Sequence, residues 1–160
     1  MPGSDTALPE IHIHPGESRL VTEPVILRTV LGSCIGLAFL VPRLGVAALC
    51  HPMLPTAPPN ARSPAGCRFV DFAIRDLARQ FDARGARRTE VQVKLFGGGD
   101  VLLVPRGTTR PTVGRLNQES ALRVLAEEGF SVAASSLGGI CGLNLRFHTG
   151  TGEVLLWRLC

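Results

Sequence analysis

Cys34 closes the run Leu31-Gly32-Ser33-Cys34, and seventeen residues later His51 opens His51-Pro52-Met53-Leu54-Pro55. A thiol and an imidazole that meet make a nucleophile and its base. Free cysteine has a pKa of roughly 8.5, so a nearby base, or a turn presenting backbone N–H groups, is needed to raise its reactivity at neutral pH. Gly32 and Ser33 can form that turn, and the same N–H groups can hold the oxyanion of a tetrahedral intermediate. A third group must orient the base. Thr29 is the nearest hydroxyl for that role, with Ser33 as the alternative. Taken singly, a cysteine between apolar runs is more often a small buried hydrophobe, and a lone histidine is more often a surface group. What raises this pair above that reading is whether the chain can bring the two together.

The elements around them permit it. Ile35 to Val41 is almost wholly apolar, as a strand covered on both faces would be. Pro42-Arg43 turns the chain, and Leu44 to Cys50 is a second short apolar segment. The short connection predicts an antiparallel hairpin that returns His51 towards the level of Cys34. Cys50, next to His51, then points to the opposite face of the strand. Pro52 to Ala65 holds five prolines in fourteen residues and reads as a loop, placed to form one wall of a cleft.

Further along, Phe69, Phe72, Ala73, Leu77 and Phe81 fall on one helical face, with Gly85 as the stop. Val91 to Phe96 alternates as a strand and runs into Gly97-Gly98-Gly99. Three glycines can cradle an anion, but the P-loop Lys-Ser/Thr and the dinucleotide spacing are missing, so close backbone packing is the favoured reading. A second helix is expected over Gln118 to Glu128 with Asn117 as its cap, followed by a strand over Phe130 to Ala134. Asn144 to His148 and Val154 to Trp157 read as a closing hairpin. Near the N-terminus Ile11-His12-Ile13-His14 alternates and stops at Pro15-Gly16. The His12/His14 pair lacks partners at zinc spacing and reads as two solvent-facing side chains. The expectation is one α/β domain over 11–160, a sandwich of mostly antiparallel or mixed strands with two main helices, behind a flexible leader over 1–10.

Composition bounds the function. A chain of 160 residues can bury about 70% of the surface its unfolded form exposes, enough for a real core. The hydrophobic content of 45% excludes a largely disordered chain. The apolar uncharged run Thr29 to Pro42 is shorter than a membrane span needs, and no basic-then-apolar leader opens the chain. A soluble cytoplasmic protein with no direct membrane insertion is expected. The net charge of +4 comes from scattered arginines without interleaved aromatic residues, which argues against nucleic acid. Five cysteines at 34, 50, 67, 141 and 160 show no disulfide framework, and in such a compartment most are expected reduced. Cys67, Cys141 and Cys160 read as structural or incidental. No metal or cofactor is expected; a metal or redox site built from Cys34, Cys50, His51 and Cys67 is the competing reading.

Several segments together resemble a known family. Leu31-Gly32-Ser33-Cys34, His51-Pro52-Met53-Leu54-Pro55, Lys94-Leu95-Phe96-Gly97-Gly98-Gly99, Val113-Gly114-Arg115-Leu116-Asn117 and Leu137-Gly138-Gly139 are similar, in order, to the signatures of the CheD chemoreceptor glutamine deamidases. His14-Pro15-Gly16-Glu17 is similar to the start of many members. The resemblance implies a Cys/His amidohydrolase that converts receptor glutamines to glutamates through a thioester and also hydrolyses receptor glutamyl methyl esters. It places Cys34 as nucleophile and His51 as general base and acid. Members also carry a threonine shortly before the cysteine, and Thr29 takes that place, with Arg28 one position earlier. The implied fold is the α/β sandwich of cysteine-dependent toxin deamidases. The implied partners are chemoreceptor cytoplasmic domains and a CheC-type phosphatase, and a docking module without catalysis is the alternative function. Gly99, Arg115-Leu116 and Cys141 depart from the usual family pattern.

Overall fold

The computed structural model describes residues 7–102, 107 and 109–160. Of the leader expected over 1–10, residues 1–6 lie outside that range. The chain forms β1 (Glu10–His12), β2 (Ser18–Val21), β3 (Ile26–Leu31), β4 (Ile35–Val41), β5 (Val46–Cys50), α1 (Val70–Ala83), β6 (Gln92–Gly97), α2 (Val113–Glu127), β7 (Val132–Leu137), β8 (Gly142–His148) and β9 (Val154–Leu159). The strands make two sheets. One has the order β1-β3-β8-β9 and the other β2-β5-β4-β6-β7. Only the β1–β3 and β6–β7 pairs are parallel, and α2 supplies the crossover between β6 and β7.

Three layers result, and the burial pattern of each strand says which layer it belongs to. In β4, Ile35, Leu37, Phe39 and Val41 pack with α1 and α2, while Ala38 and Leu40 pack against the other sheet. Both faces of the five-stranded sheet are therefore covered, which is why β4 and β5 are apolar at every position. Among the described residues, the four-stranded sheet is covered on one side only. Along β3, Leu27, Thr29 and Leu31 are buried, while Arg28 and Val30 face outward. The β8 strand does the same, with Leu143, Leu145 and Phe147 inward. The expected hairpin is present: β4 and β5 pair antiparallel from Val41↔Val46 to Leu37↔Cys50, through a single 3-10 turn at Pro42–Leu44. Among the described residues, no helix is long and apolar enough to cross a membrane.

Both helices differ from the sequence expectation. In α1 the inward face is Val70, Ala73, Ile74, Leu77, Ala78 and Phe81. Phe69 is the extended residue before the helix, and Phe72 lies half-buried over Gly66. The second helix begins one turn earlier than expected. Thr112 is its cap, its hydroxyl accepting from the Arg115 N–H, and Asn117 is buried inside the helix. Asn117 does not mark the helix start, because a buried, hydrogen-bonded asparagine uses for a tertiary contact the same polar group that a cap would use.

The early start of α2 sets Gly114 against the triple glycine. A Cβ at Gly114 would lie 2.4 Å from the Gly99 carbonyl oxygen and 2.6 Å from that of Gly98. Gly97 is equally constrained, with φ +98 and a built Cβ 2.3 Å from the Cys34 carbonyl oxygen. Both contacts are to backbone, which has little room to give. Gly114→Ala is expected to lower the urea unfolding midpoint, with a loss of about 1–3 kcal/mol.

Candidate active site

Residues 32–34 carry the chain from β3 in one sheet to β4 in the other. The Ile35 N–H donates to the Pro52 carbonyl at 3.1 Å, so the β4–β5 register continues past the strand ends. Gly36 then faces His51, and Cys34 lies one diagonal step away on the same face. That face looks into the space between the sheets, where half-buried Cys34 packs at the edge of the inter-sheet core. Cys50 points the other way, into the core beneath the helices.

His51 is held from both sides. Its N–H donates to the Glu17 carbonyl at 2.9 Å, and its carbonyl accepts from the Gly16 N–H at 2.7 Å. The His14-Pro15-Gly16-Glu17 turn thus anchors the histidine backbone. Across the inter-sheet space, Thr29 is fully buried on β3. Its hydroxyl donates to the Ile13 carbonyl at 2.7 Å and sits 2.6 Å from His51 Nδ1. Since the single hydroxyl proton goes to Ile13, Nδ1 must carry the proton of the second bond. The neutral tautomer is therefore Nδ1–H, and Nε2 keeps its lone pair. Nε2 is buried and has no hydrogen-bond partner among the described residues. Arg28, one position from Thr29, points outward to Glu10.

The electrostatics favour uncharged groups. Burial, reinforced by the nearby His12 and His14, lowers the His51 pKa to about 4, while the Ile13 carbonyl and Glu17 pull the other way. Burial raises the Cys34 thiol above its ordinary value, partly offset by a hydrogen bond from its own N–H. Desolvation outweighs that bond, so the environment of Cys34 favours the thiol over the thiolate. The thiol and Nε2 are not hydrogen-bonded to each other.

Cys34 opens onto a cleft of about 420 Å³, lined largely by apolar groups including Met53, Leu54, Val101, Leu102 and Val113. The residues after His51 do form one wall, and the start of α2 forms another. The triple glycine packs behind the cysteine. Gly98 and Gly99 donate their N–H groups to the carbonyls of Cys34 and Gly32, at 2.8 and 3.0 Å, so they are committed to backbone and not offered to an anion.

Asn117 is the residue that sequence reasoning placed wrongly at this site. Its Nδ2 donates to the carbonyls of Ser33 and Met53, both at 2.9 Å. Nearby on α2, Gln118 donates to the Gly98 carbonyl and Ser120 to the Pro55 carbonyl. The available signal was a polar residue of low helix propensity one turn inside a helix. Cys141 and Cys160 form a disulfide with Cα atoms 5.0 Å apart, and Cys34, Cys50 and Cys67 are free. Among the described residues, no three His, Cys, Asp or Glu side chains gather closely enough to hold a metal ion.

Two stacked sheets with helices on one outer face define a single-domain α/β sandwich. The same fold is seen in the crystal structures of YlmD from Geobacillus stearothermophilus and the hypothetical protein YfiH from Bacillus licheniformis. They match with TM-scores of 0.52 and 0.51, each at 15% identity over 76% of this chain. The chain spans about half the length of those two proteins. Residues 53–158 match the family profile described as CheD chemotactic sensory transduction. The chain is 43% identical to a probable chemoreceptor glutamine deamidase CheD 2 from Geobacter sulfurreducens, over 95% of this chain and 91% of that one. It is 33% identical to a probable chemoreceptor glutamine deamidase CheD from Maridesulfovibrio salexigens, over 99% and 97%. The chain belongs to the CheD family.

The depressed His51 pKa makes stability depend on pH with a definite sign. An unfolded histidine titrates near its ordinary 6.5 and the folded one near 4. Between those values the unfolded chain binds the extra proton, so stability is full above about pH 6.5 and falls towards pH 4. Denaturant titrations at stepped pH should show this window contributing about 3 kcal/mol, with most of it missing in His51→Gln.

Proposed function

We propose that this chain deamidates glutamine side chains of chemoreceptor cytoplasmic domains, with Cys34 as nucleophile, His51 as base and acid, and Thr29 orienting His51. The observation that carries this reading is the Thr29–His51 bond, which directs the Nδ1 proton to threonine and leaves Nε2 as a buried, unpartnered acceptor. That is the state a general base requires. Family membership and the relatives' names support the substrate class.

The neutral resting pair dictates the order of proton movements. Substrate entering the cleft excludes water, and a rotation of the Cys34 side chain brings Sγ to Nε2. As the sulfur attacks the carboxamide carbon, the thiol proton passes to Nε2 and the carbonyl oxygen takes the negative charge. Backbone N–H groups of the Gly32-Ser33-Cys34 turn stabilise that oxyanion. Collapse breaks the C–N bond, and the His51 proton goes to the departing nitrogen, releasing ammonia. Water then attacks the thioester carbon while Nε2 takes its proton. Breaking the C–S bond returns that proton to sulfur and leaves glutamate. A glutamyl methyl ester follows the same course with methanol leaving.

The domain acting here is 11–160, working in the cytoplasm where receptor signalling domains lie. The family resemblance extends its partners to a CheC-type phosphatase, which size-exclusion co-elution of the two purified proteins would test.

The decisive assay is ammonia release from purified receptor cytoplasmic domains, with mass spectrometry of the amide-to-acid conversion. Cys34→Ala should abolish both signals; equal rates for wild type and Cys34→Ala would end the reading. Thr29→Val should lower kcat by about tenfold or more, and Thr29→Ser should restore most of it. Alkylation of Cys34 by iodoacetamide should climb through the alkaline range with no acidic plateau, as a thiol without a preformed ion pair does.

A further inference from the structure

We infer that Asn117 is a positioning residue for acyl transfer: it holds the Ser33–Cys34 peptide so that the Cys34 N–H serves as oxyanion donor. The inference rests on the cysteine chemistry proposed above.

A trans peptide is planar, with its C=O and N–H pointing in opposite directions. Whatever holds the carbonyl therefore aims the next N–H. Three consecutive carbonyls are held here, the outer two by the triple glycine and the middle one by a side chain of α2. Gly32 accepts from the Gly99 N–H at 3.0 Å, Ser33 from Asn117 Nδ2 at 2.9 Å, and Cys34 from the Gly98 N–H at 2.8 Å. The third peptide's N–H, on Ile35, is spent on Pro52. Those of Ser33 and Cys34 have no acceptor on a neighbouring residue among the described residues. The Cys34 N–H lies within hydrogen-bond reach of the Cys34 sulfur, beside the atom that would attack. The middle carbonyl of the three is the one held by a side chain, so it is the one a substitution can release.

The placement of Asn117 suits the task. It is fully buried and projects from a helix, so its amide has little freedom. The same Nδ2 also donates to the Met53 carbonyl, at the position facing Cys34 across the extended β4–β5 register. One amide thus ties the thiol turn to the segment that follows His51. Polarising the Ser33 carbonyl also strengthens its own peptide N–H as a donor. With both amide protons going to carbonyls, Oδ1 is left buried without a partner. That cost is consistent with a side chain kept for orientation.

The test separates oxyanion stabilisation from thiol reactivity. p-Nitrophenyl acetate acylates Cys34 through a tetrahedral oxyanion, whereas iodoacetamide alkylates it by displacement at carbon and needs none. Both rates are measured on the full chain, with Cys34→Ala subtracted, for wild type, Asn117→Asp and Asn117→Ser. Asn117→Asp keeps the shape and removes the donor; Asn117→Ser leaves room for a water should the first variant fail to fold. The acylation rate should drop about tenfold to a hundredfold while alkylation stays within about twofold. The Cys34 amide nitrogen resonance should shift in either variant. Equal falls in both rates would assign Asn117 a purely structural role, and unchanged acylation would remove it from the chemistry. Because these probes need no receptor, an inactive wild type in the glutamine assay would overturn the substrate reading without touching this outcome.

Discussion

Between β3 and β4 the chain leaves one sheet and enters the other within three residues, and the carbonyls of Gly32, Ser33 and Cys34 lose the ladder partners they would have in a strand. Unpaired backbone groups are costly away from water, so donors must come from elsewhere. They come from Gly99, Asn117 and Gly98. Much of the surrounding architecture follows from that need. The triple glycine must approach within hydrogen-bond distance, and a Cβ at Gly97 or Gly98 would collide with its neighbours. The second helix must begin early enough to place Asn117 over Ser33, and Gly114 must lack a side chain so that the helix can settle on Gly98 and Gly99.

The same crossing explains why the site is built between sheets and not within one. Thr29 belongs to the four-stranded sheet and His51 follows a strand of the five-stranded sheet, and their bond spans the inter-sheet core. His51 is buried there and Cys34 half-buried, so both charged forms are disfavoured: the thiol is pushed up and the imidazole down to about 4. The His51 imidazole is held neutral, with its free nitrogen defined by the bond on its other side.

Legibility from the sequence varied with the range of the interaction. The β4–β5 hairpin, the opposite facing of Cys50 and the close packing of Gly97-Gly98-Gly99 could be read because they depend on strand alternation and local turn chemistry. The inward face of α1 was read with Phe69 and Phe72 included, since several registers of an apolar-rich stretch look alike until a partner surface selects one. The β2 strand at Ser18–Val21 carried no expectation, because its half-buried mixed pattern is explained only by its pairing with β5. Asn117 had an available explanation as a cap, and a local reading stops at the first explanation that suffices.

By itself the sequence determined the alternation that sends Cys34 and His51 to a common face, and the class of sandwich. These depend on residue type and on periods of two or 3.6 residues, which the linear order contains. The tertiary structure alone decided that Thr29 and not Arg28 meets the imidazole, and which ring nitrogen carries the proton. It also decided that residues 14–17 brace His51 and that Asn117 secures the Ser33 carbonyl. Each of these contacts joins segments far apart in the chain. Their distances follow from how two sheets and a helix stack, a relation that no spacing along the sequence records.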